Sequence, residues 1–179
     1  MSRRKFPREG RAPKALDLQS LNGLALAYLG KYATTRHKLR TYLGRKVTER
    51  GWDGEGPPPL DMIVERCAEL GYVDDAGFAE ARGAALVRRG YGEQRVAAAL
   101  RGAGIDSETA APVREMAQEN ALDAALAFAR RKRIGPYASE SIDLDQRRRH
   151  FGQMLRAGHS PDIARRVAFA EPGAILDGG

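Results

Sequence analysis

The sequence contains a single cysteine, Cys67, among its 179 residues. An intramolecular disulfide is therefore impossible, which is typical of a protein from a reducing compartment. No apolar run approaches the roughly 20 residues that a membrane-spanning helix needs. The basic N-terminus is not followed by a long apolar segment, so no signal peptide is expected. These absences favour a cytoplasmic protein that does not span a membrane.

Motifs for cofactor and metal binding are also absent from the sequence. There is no Walker loop and no G-x-G-x-x-G pattern for phosphates or dinucleotides. The three histidines, His37, His150 and His159, lack the spacing of metal ligands, and one cysteine cannot complete a zinc site. The sequence therefore predicts no cofactor and no metal.

Two adjacent carboxylates, Asp74 and Asp75, are the nearest approach to a catalytic pair. Neighbouring residues at the start of a helix point in different directions, whereas general acid–base catalysis needs both groups in one cleft. Capping of the helix explains one of them, and pairing with an arginine such as Arg82 is expected for the other. Cys67 lies on the apolar face of a helix and is expected to be inert. A hydrolase or other enzyme is therefore disfavoured.

The charge of the chain is basic and unevenly distributed. Thirty Lys and Arg residues against 23 Asp and Glu residues give a formal net charge of +7. Residues 1–14 contain six basic residues and one acidic residue, and residues 130–156 contain eight basic and three acidic residues. Two basic zones thus flank a slightly acidic middle, a balance that points to polyanionic partners such as DNA, RNA or an acidic protein surface.

Apolar residues recur at helical spacing along almost the whole chain. The first helix has its apolar face at i, i+3, i+4, i+7, i+8 and i+11, formed by Leu21, Leu24, Ala25, Tyr28, Leu29 and Tyr32. Thr34 or Thr35 can cap the second helix. Asp106 or Thr109 can cap the sixth helix, and because a proline is tolerated best in the first turn, Pro112 favours a start near Thr109. The pattern predicts nine helices and no strands.

The middle helices contain a repeated pair of apolar residues four positions apart, with basic residues beside each pair. The pairs are Leu39 and Leu43, Val96 and Leu100, and Phe151 and Leu155. The spacing predicts an all-α fold of three tandem three-helix repeats, stacked in an elongated, curved, right-handed helical array. A compact helical bundle with accidental repetition is the alternative.

The repeats have predicted boundaries. We expect them over residues 20–70, 71–118 and 119–170. A basic, disordered tail is expected over residues 1–19, and a frayed tail over residues 171–179.

Residues 71–105, GYVDDAGFAEARGAALVRRGYGEQRVAAALRGAGI, closely resemble the central motif of the RecX family, the regulators of RecA recombinase. Residues 25–46 and 155–168 are similar to the family's opening and closing repeats. The structural positions of the central motif are Gly71, Tyr72, Asp74, Asp75, Phe78, Gly90, Tyr91, Gly92 and Gly104. The resemblance spans about residues 20–170. Three features depart from the family pattern: the loop over residues 51–59, the position of Pro112, and the long link over residues 134–146.

The resemblance implies three tandem three-helix repeats and a regulatory function without catalysis. It implies binding in the groove of the RecA–DNA filament, where the protein modulates and mostly inhibits ATP hydrolysis, strand exchange and co-protease activity. A role in regulating DNA repair, recombination and the SOS response follows, with weak, non-specific contact to single- and double-stranded DNA. A monomer is expected.

Basic side chains are the candidates for contact with RecA or DNA, because arginine binds phosphate and carboxylate in a bidentate manner. The alternative for each is a solvated helix face. The candidates are Lys38, Arg40, Arg45, Lys46, Arg88, Arg89, Arg95, Arg101, Arg130, Arg131, Lys132, Arg133, Arg147, Arg148, Arg149 and Arg156.

A second hypothesis is an autonomous helix-turn-helix transcription factor, since short helices with tight turns and excess positive charge suit that class as well. The sequence shows no clear recognition helix with base-reading residues. Preference for one DNA sequence over random competitor DNA would favour the transcription factor, whereas tighter binding once RecA is loaded would favour the filament regulator.

Overall fold

The computed structural model describes residues 14–177, and this part of the chain is all-helical. The helices are α1 (Leu18–Leu29), α2 (Arg36–Arg50), α3 (Leu60–Glu69), α4 (Asp75–Arg88), α5 (Glu93–Arg101), α6 (Ser107–Glu119), α7 (Ala121–Lys132), α8 (Leu144–Arg156) and α9 (Pro161–Ala168), with a 3₁₀ turn at Gly135–Tyr137. The all-α class is confirmed. Of the tails predicted over residues 1–19 and 171–179, residues 1–13 and 178–179 lie outside the described residues. Over residues 14–177, no helix is both long and apolar enough to cross a membrane.

The folded part begins before the boundary predicted at residue 20. Leu16 is fully buried, and its backbone bonds to the loop that follows α2, with Leu16 N–H donating to the Gly51 carbonyl and Asp53 N–H donating to the Leu16 carbonyl. Asp17 then caps α1 through the backbone N–H of Ser20. Assigning residues 14–19 to a disordered tail was therefore wrong, because the loop over residues 51–59 supplies backbone partners and an apolar site for this segment.

Side-chain caps start most of the helices, as the sequence predicts. Thr35 caps α2 and Asp74 caps α4. The expected start of α6 near Thr109 was wrong, since Asp106 caps the helix by accepting from the backbone N–H of Thr109 at 2.8 Å. Pro112 consequently lies inside α6, where its missing N–H leaves the carbonyl of Glu108 without its usual helical partner. Both residues are exposed, so water can satisfy that carbonyl.

Three separate apolar cores divide the helices into three units: unit 1 (α1–α3), unit 2 (α4–α6) and unit 3 (α7–α9). The core of unit 1 includes Leu39 and Leu43, and that of unit 2 includes Val96 and Leu100, as the apolar pairs predict. In unit 3, Phe151 packs against the core as expected, but the second member of the pair is shifted by one residue. Met154 is fully buried, whereas Leu155 is 36% exposed.

A shared cap explains this shift in unit 3. Helices α5 and α8 both end in a left-handed glycine, Gly104 and Gly158, and the next residue donates its N–H back into the last turn, to Leu100 and Met154 respectively. Aligning these caps matches Met154 with Leu100. The choice of Leu155 as the second core residue of this pair was therefore wrong by one position.

The middle helices of the three units meet head to tail. At the junction of units 1 and 2, the Thr35 hydroxyl at the start of α2 donates to the carbonyl of Ala103, just beyond α5, at 2.6 Å. At the junction of units 2 and 3, the N–H groups of Gly92 and Gln94 at the start of α5 donate to the carbonyls of Ala157 and Gly158 beyond α8, at 3.0 and 3.2 Å. Hydrogen-bond donors at the start of one helix thus pair with carbonyls beyond the end of another, and opposite ends of the helix dipoles are in contact.

Helix α7 ends with a left-handed residue that is not glycine. Arg133 has φ of 55°, and Ile134 N–H donates to the carbonyl of Ala129, the same cap that Gly90 provides at the end of α4. Because this conformation strains any residue with a Cβ, we expect Arg133→Gly to raise the free energy of unfolding by about 0.5–1 kcal/mol. Chemical denaturation measures this. Lys132→Gly is the control, because it removes a neighbouring cation whose backbone is helical. This substitution is expected to destabilise the fold. Equal effects of both substitutions on the free energy of unfolding would contradict the assignment of strain to Arg133.

Candidate polyanion-binding site

Tyr91 lies at the centre of the candidate site, in the turn between α4 and α5. Its side chain packs against the cores of both unit 2 and unit 3. Gly90 adopts φ of 79°, which lets the chain reverse, and a Cβ on Gly92 would collide with the carbonyl of Gly158. Gly90, Tyr91 and Gly92, three positions of the central motif, thus form a turn that is also the junction of units 2 and 3.

Six cationic side chains surround Tyr91, and we call this group the Tyr91 cluster. A cleft of about 410 Å³ is lined by Arg82, Arg89 and Arg95 together with Tyr91. A second hollow of about 420 Å³ shares Tyr91 and is lined by Lys132 and Arg156.

Arg131 joins the two halves of the cluster. Its guanidinium carbon lies 5.9 Å from the Tyr91 ring centre and 5.4 Å from that of Phe128, and it donates to the backbone carbonyl of Arg89. The guanidinium carbon of Arg95 lies 6.0 Å from the centre of the Tyr91 ring. Residues from α4, α5, α7 and α8 therefore form one cationic surface with an aromatic centre.

None of the six cations of the Tyr91 cluster forms an ion pair with a carboxylate of residues 14–177. Several other candidates do. Arg40 pairs with Asp61, Arg45 and Lys46 share Glu49, and Arg148 pairs with Asp145. The pairing of Arg40 lowers the pKa of the Asp61 carboxyl through their hydrogen bond. Cations that already have a carboxylate partner offer less attraction to an external anion than the unpaired cations of the Tyr91 cluster do.

Arg147 serves the fold of unit 3. Its side chain is only 16% exposed, and it donates to the carbonyl of Phe169 at 2.7 Å and to Glu171 at 2.6 Å. The hydrogen bond from Arg147 lowers the pKa of the Glu171 carboxyl. A substitution at Arg147 would therefore change the packing of α8 on α9 as well as the charge.

The remaining candidates lie outside the Tyr91 cluster. Lys38 lies 4.6 Å from the centre of the Phe78 ring, and Arg130 lies 5.0 Å from that of Tyr137. The other four, Arg88, Arg101, Arg133 and Arg149, are exposed.

Arg82 was absent from the predicted candidates. It lies seven residues before Arg89 on α4, a spacing that places both on one face of a helix, so the signal was present in the sequence.

The two adjacent carboxylates perform separate capping roles. Asp74 accepts from the backbone N–H of Gly77 at 2.9 Å and caps α4. Asp75 accepts from the backbone N–H of Arg36 at 2.9 Å, and thus caps the start of α2 in the neighbouring unit. The expected pairing of Asp75 with Arg82 was wrong, because Arg82 lines the cleft beside Tyr91. Asp75 instead ties units 1 and 2 together.

Two buried groups with shifted pKa values are Cys67 and His159. Burial in the core of unit 1 raises the pKa of the Cys67 thiol, which keeps it protonated. Burial lowers the pKa of His159, against a smaller opposing effect of its hydrogen bond to Gly90. The His159 Nε2 atom lies 3.1 Å from the Gly90 carbonyl oxygen and donates to it, while Nδ1 is buried without a partner in the described residues. A proton on Nδ1 would therefore lack an acceptor.

The burial of His159 predicts a lower free energy of unfolding at acid pH. The pKa of His159 is lowered from its ordinary value of 6.5, so the unfolded chain binds more protons than the folded one. Its contribution to the free energy of unfolding is complete above pH 6.5 and declines as the pH falls below that value, with a slope of at most about 1.4 kcal/mol per pH unit. Denaturation of the wild type and of His159→Gln between pH 7.5 and 5.5 measures this. We expect a smaller pH dependence in His159→Gln, and an unchanged one would contradict the assignment.

These features define an all-helical protein of three-helix units with an unpaired cationic surface at one junction. Within residues 14–177, no group of three or more His, Cys, Asp or Glu side chains could hold a metal ion.

Comparison with known proteins identifies the family. The chain is 34% identical to regulatory protein RecX of Stenotrophomonas maltophilia over 141 residues, which cover 76% of this chain and 80% of the relative. It is 28% identical to regulatory protein RecX of Myxococcus xanthus over 180 residues, covering 94% and 95% of the two chains. No protein-family model matches the chain. The chain belongs to the RecX family of regulatory proteins.

The fold agrees with this assignment. The crystal structure of RecX from Lactobacillus salivarius superimposes with a TM-score of 0.59 at 19% identity, covering 83% of this chain and 92% of that chain. A second RecX crystal structure gives the same TM-score over 81% of this chain and 68% of that chain.

Proposed function

We propose that this protein regulates RecA recombinase by binding the RecA–DNA filament in the cytoplasm, and that it mostly inhibits ATP hydrolysis, strand exchange and co-protease activity. Regulation of DNA repair, recombination and the SOS response would follow. The observation that carries the proposal is the Tyr91 cluster, six cations without carboxylate partners among residues 14–177. Membership of a family whose relatives are named regulatory proteins supports it.

The Tyr91 cluster suits a nucleoprotein surface. Guanidinium groups bind phosphate or carboxylate with paired hydrogen bonds, so acidic side chains of RecA and the phosphates of DNA are both suitable partners. Tyr91 and Phe128 hold Arg131 in place, which reduces the entropy lost when it binds. Contact of the Tyr91 cluster with bare DNA would be electrostatic, weak, independent of sequence and sensitive to salt.

Inhibition in this mechanism requires no chemistry by the protein. A ligand shifts a conformational equilibrium by its difference in affinity for the two states. A monomer with fixed junctions that contacts adjacent RecA protomers would favour one state of the filament. Its presence in the groove would also exclude a second DNA molecule.

The experiment is ATP hydrolysis by RecA on single-stranded DNA, with this protein added below the concentration of RecA. The proposal predicts a dose-dependent loss of hydrolysis, and no hydrolysis by the protein alone. Binding to the filament is measured in parallel by cosedimentation. Unchanged hydrolysis together with no cosedimentation would refute the proposal.

A further inference from the structure

Three tyrosines form a continuous aromatic surface on unit 1, well away in sequence from the Tyr91 cluster. The rings of Tyr28 and Tyr42 are stacked, with centres 4.2 Å apart and planes inclined by 18°. The ring of Tyr32 lies 5.1 Å from that of Tyr28. Tyr28 and Tyr42 pack partly against the core of unit 1, whereas Tyr32 is 57% exposed. The sequence placed Tyr32 on the apolar face of α1, but the helix ends at Leu29 and leaves this ring in solvent.

The surroundings of this aromatic surface are basic. Two hollows, of about 510 and 320 Å³, share Tyr28, Tyr42 and Arg45 in their linings, so they form one depression. Lys31 lines one hollow and Lys38 the other, and neither lining includes an acidic side chain. Arg45 and Lys46 both lie 5.9 Å from the centre of the Tyr42 ring, and they share Glu49 as their carboxylate partner. Lys31 and Lys38 therefore leave a net positive charge beside the three tyrosine rings.

We infer that Tyr28, Tyr32 and Tyr42 form a platform on which the unpaired bases of single-stranded DNA stack, with Lys31 and Lys38 attracting the phosphates. Aromatic rings in a basic depression are the combination by which proteins bind single strands regardless of sequence, because every base has a face that can stack. A duplex hides those faces between its base pairs. The choice of DNA over RNA rests on the proposed function, and the stacking itself rests on the geometry of the three rings.

The platform would divide the work of the protein between two surfaces. The Tyr91 cluster at the junction of units 2 and 3 would bind negatively charged groups, and the platform on unit 1 would distinguish a single strand from a duplex. Gly102, just beyond α5, lines the hollow that contains Lys38, so the depression extends from unit 1 to its junction with unit 2.

The test compares two tyrosines of nearly equal exposure, without RecA present. Tyr32 is 57% exposed on the platform, and Tyr72, 55% exposed in the segment between α3 and α4, is the matched control. Neither Tyr32→Ala nor Tyr72→Ala removes a core side chain, so both variants are expected to fold, which circular dichroism checks. Fluorescence anisotropy measures binding to labelled oligo(dT) of 20 nucleotides, to a 20-residue abasic strand with the same phosphates, and to a 20-base-pair duplex.

Wild-type protein is expected to bind oligo(dT) about 5- to 100-fold more tightly than the abasic strand, the range that stacking of one base provides. Tyr32→Ala is expected to lose most of this preference, with unchanged binding to the abasic strand, and Tyr72→Ala is expected to keep it. Equal binding of oligo(dT) and the abasic strand by wild type, or an unaltered preference in Tyr32→Ala, would overturn the platform. Tenfold tighter binding of oligo(U) than oligo(dT) would overturn the choice of DNA.

The platform and the proposed function can fail separately. If the preference for bases is absent while RecA-dependent ATP hydrolysis is still inhibited, the platform is refuted and the regulatory function is retained. If stacking is present while hydrolysis is unaffected, the protein binds single strands without regulating RecA.

Discussion

Substitution of Gly158 by alanine is expected to lower the free energy of unfolding by roughly 2–5 kcal/mol. Gly158 has φ of 92°, a conformation that strains any residue with a Cβ, and a Cβ there would collide with the backbone of Arg95. The collision lies in the junction of units 2 and 3, where the start of α5 meets the end of α8. The expected loss corresponds to a fall in Tm of roughly 5–15 °C. Thermal and urea denaturation, followed by circular dichroism, measure both quantities.

Gly23→Ala is the matched control for this substitution. Gly23 lies in the interior of α1, and a Cβ there would meet no atom within 4 Å. Alanine is the better helix former, so this variant is expected to gain about 0.5–1 kcal/mol. A free energy of unfolding for Gly158→Ala within about 0.5 kcal/mol of the wild type would show that the junction does not hold units 2 and 3 as described.

Neutralising three arginines of the Tyr91 cluster is expected to raise the concentration needed for half-inhibition of RecA by about 10- to 100-fold. The variant is Arg82→Gln, Arg89→Gln and Arg95→Gln, which removes three charges and keeps much of each side chain's apolar stem. Each of these surface charges is expected to contribute about 0.5–1 kcal/mol to binding, and the three together give the stated range. Hydrolysis of ATP by RecA filaments, titrated with wild type and variant, measures the effect.

The control variant removes the same net charge from arginines that already have carboxylate partners. Arg40, Arg66 and Arg148 pair with Asp61, Glu69 and Asp145 respectively. Substitution of these three by glutamine lowers the net charge by the same three units. We expect it to change half-inhibition by less than about threefold, because a neighbouring carboxylate already offsets the charge of each of these arginines. Equal losses in both triple variants would mean that total charge, and not the Tyr91 cluster, determines binding.

The sequence predicts local features of this fold well. Thr34 or Thr35 was expected to cap α2 and one of the two adjacent aspartates to cap α4, and Thr35 and Asp74 do so. Such predictions succeed because a cap depends on residues three or four positions apart, whose geometry the helix itself imposes. The repeat of apolar residues likewise located the cores of units 1 and 2.

Features that depend on contacts between distant segments were missed. Phe151, Met154 and Leu155 all lie near one another on α8, and only packing against α7 and α9 decides that Met154 is the one fully buried. Leu16 could be recognised as part of the fold only from its hydrogen bonds to the backbone of Gly51 and Asp53, about 35 residues away.

The candidate site likewise depends on contacts between distant segments that the sequence could not predict. Sixteen basic residues were candidates, and the sequence could not show that Arg40 and Arg147 are paired, because their carboxylate partners are distant. Asp61 is 21 residues from Arg40, and Glu171 is 24 residues from Arg147. The Tyr91 cluster combines side chains that span from Arg82 to Arg156, and only the junction of units 2 and 3 brings them together.

The salt dependence of filament binding tests the central claim most directly. The affinity of wild type and of the Arg82, Arg89 and Arg95 triple variant for RecA-coated single-stranded DNA is measured between about 50 and 200 mM salt, the range over which phosphate contacts change affinity most. If the Tyr91 cluster contacts phosphates, the slope of log affinity against log salt should fall by about 0.7–0.9 for each phosphate that an arginine no longer neutralises, or by roughly 2–3 in the variant. Identical slopes for the two proteins, with binding otherwise intact, would contradict the account.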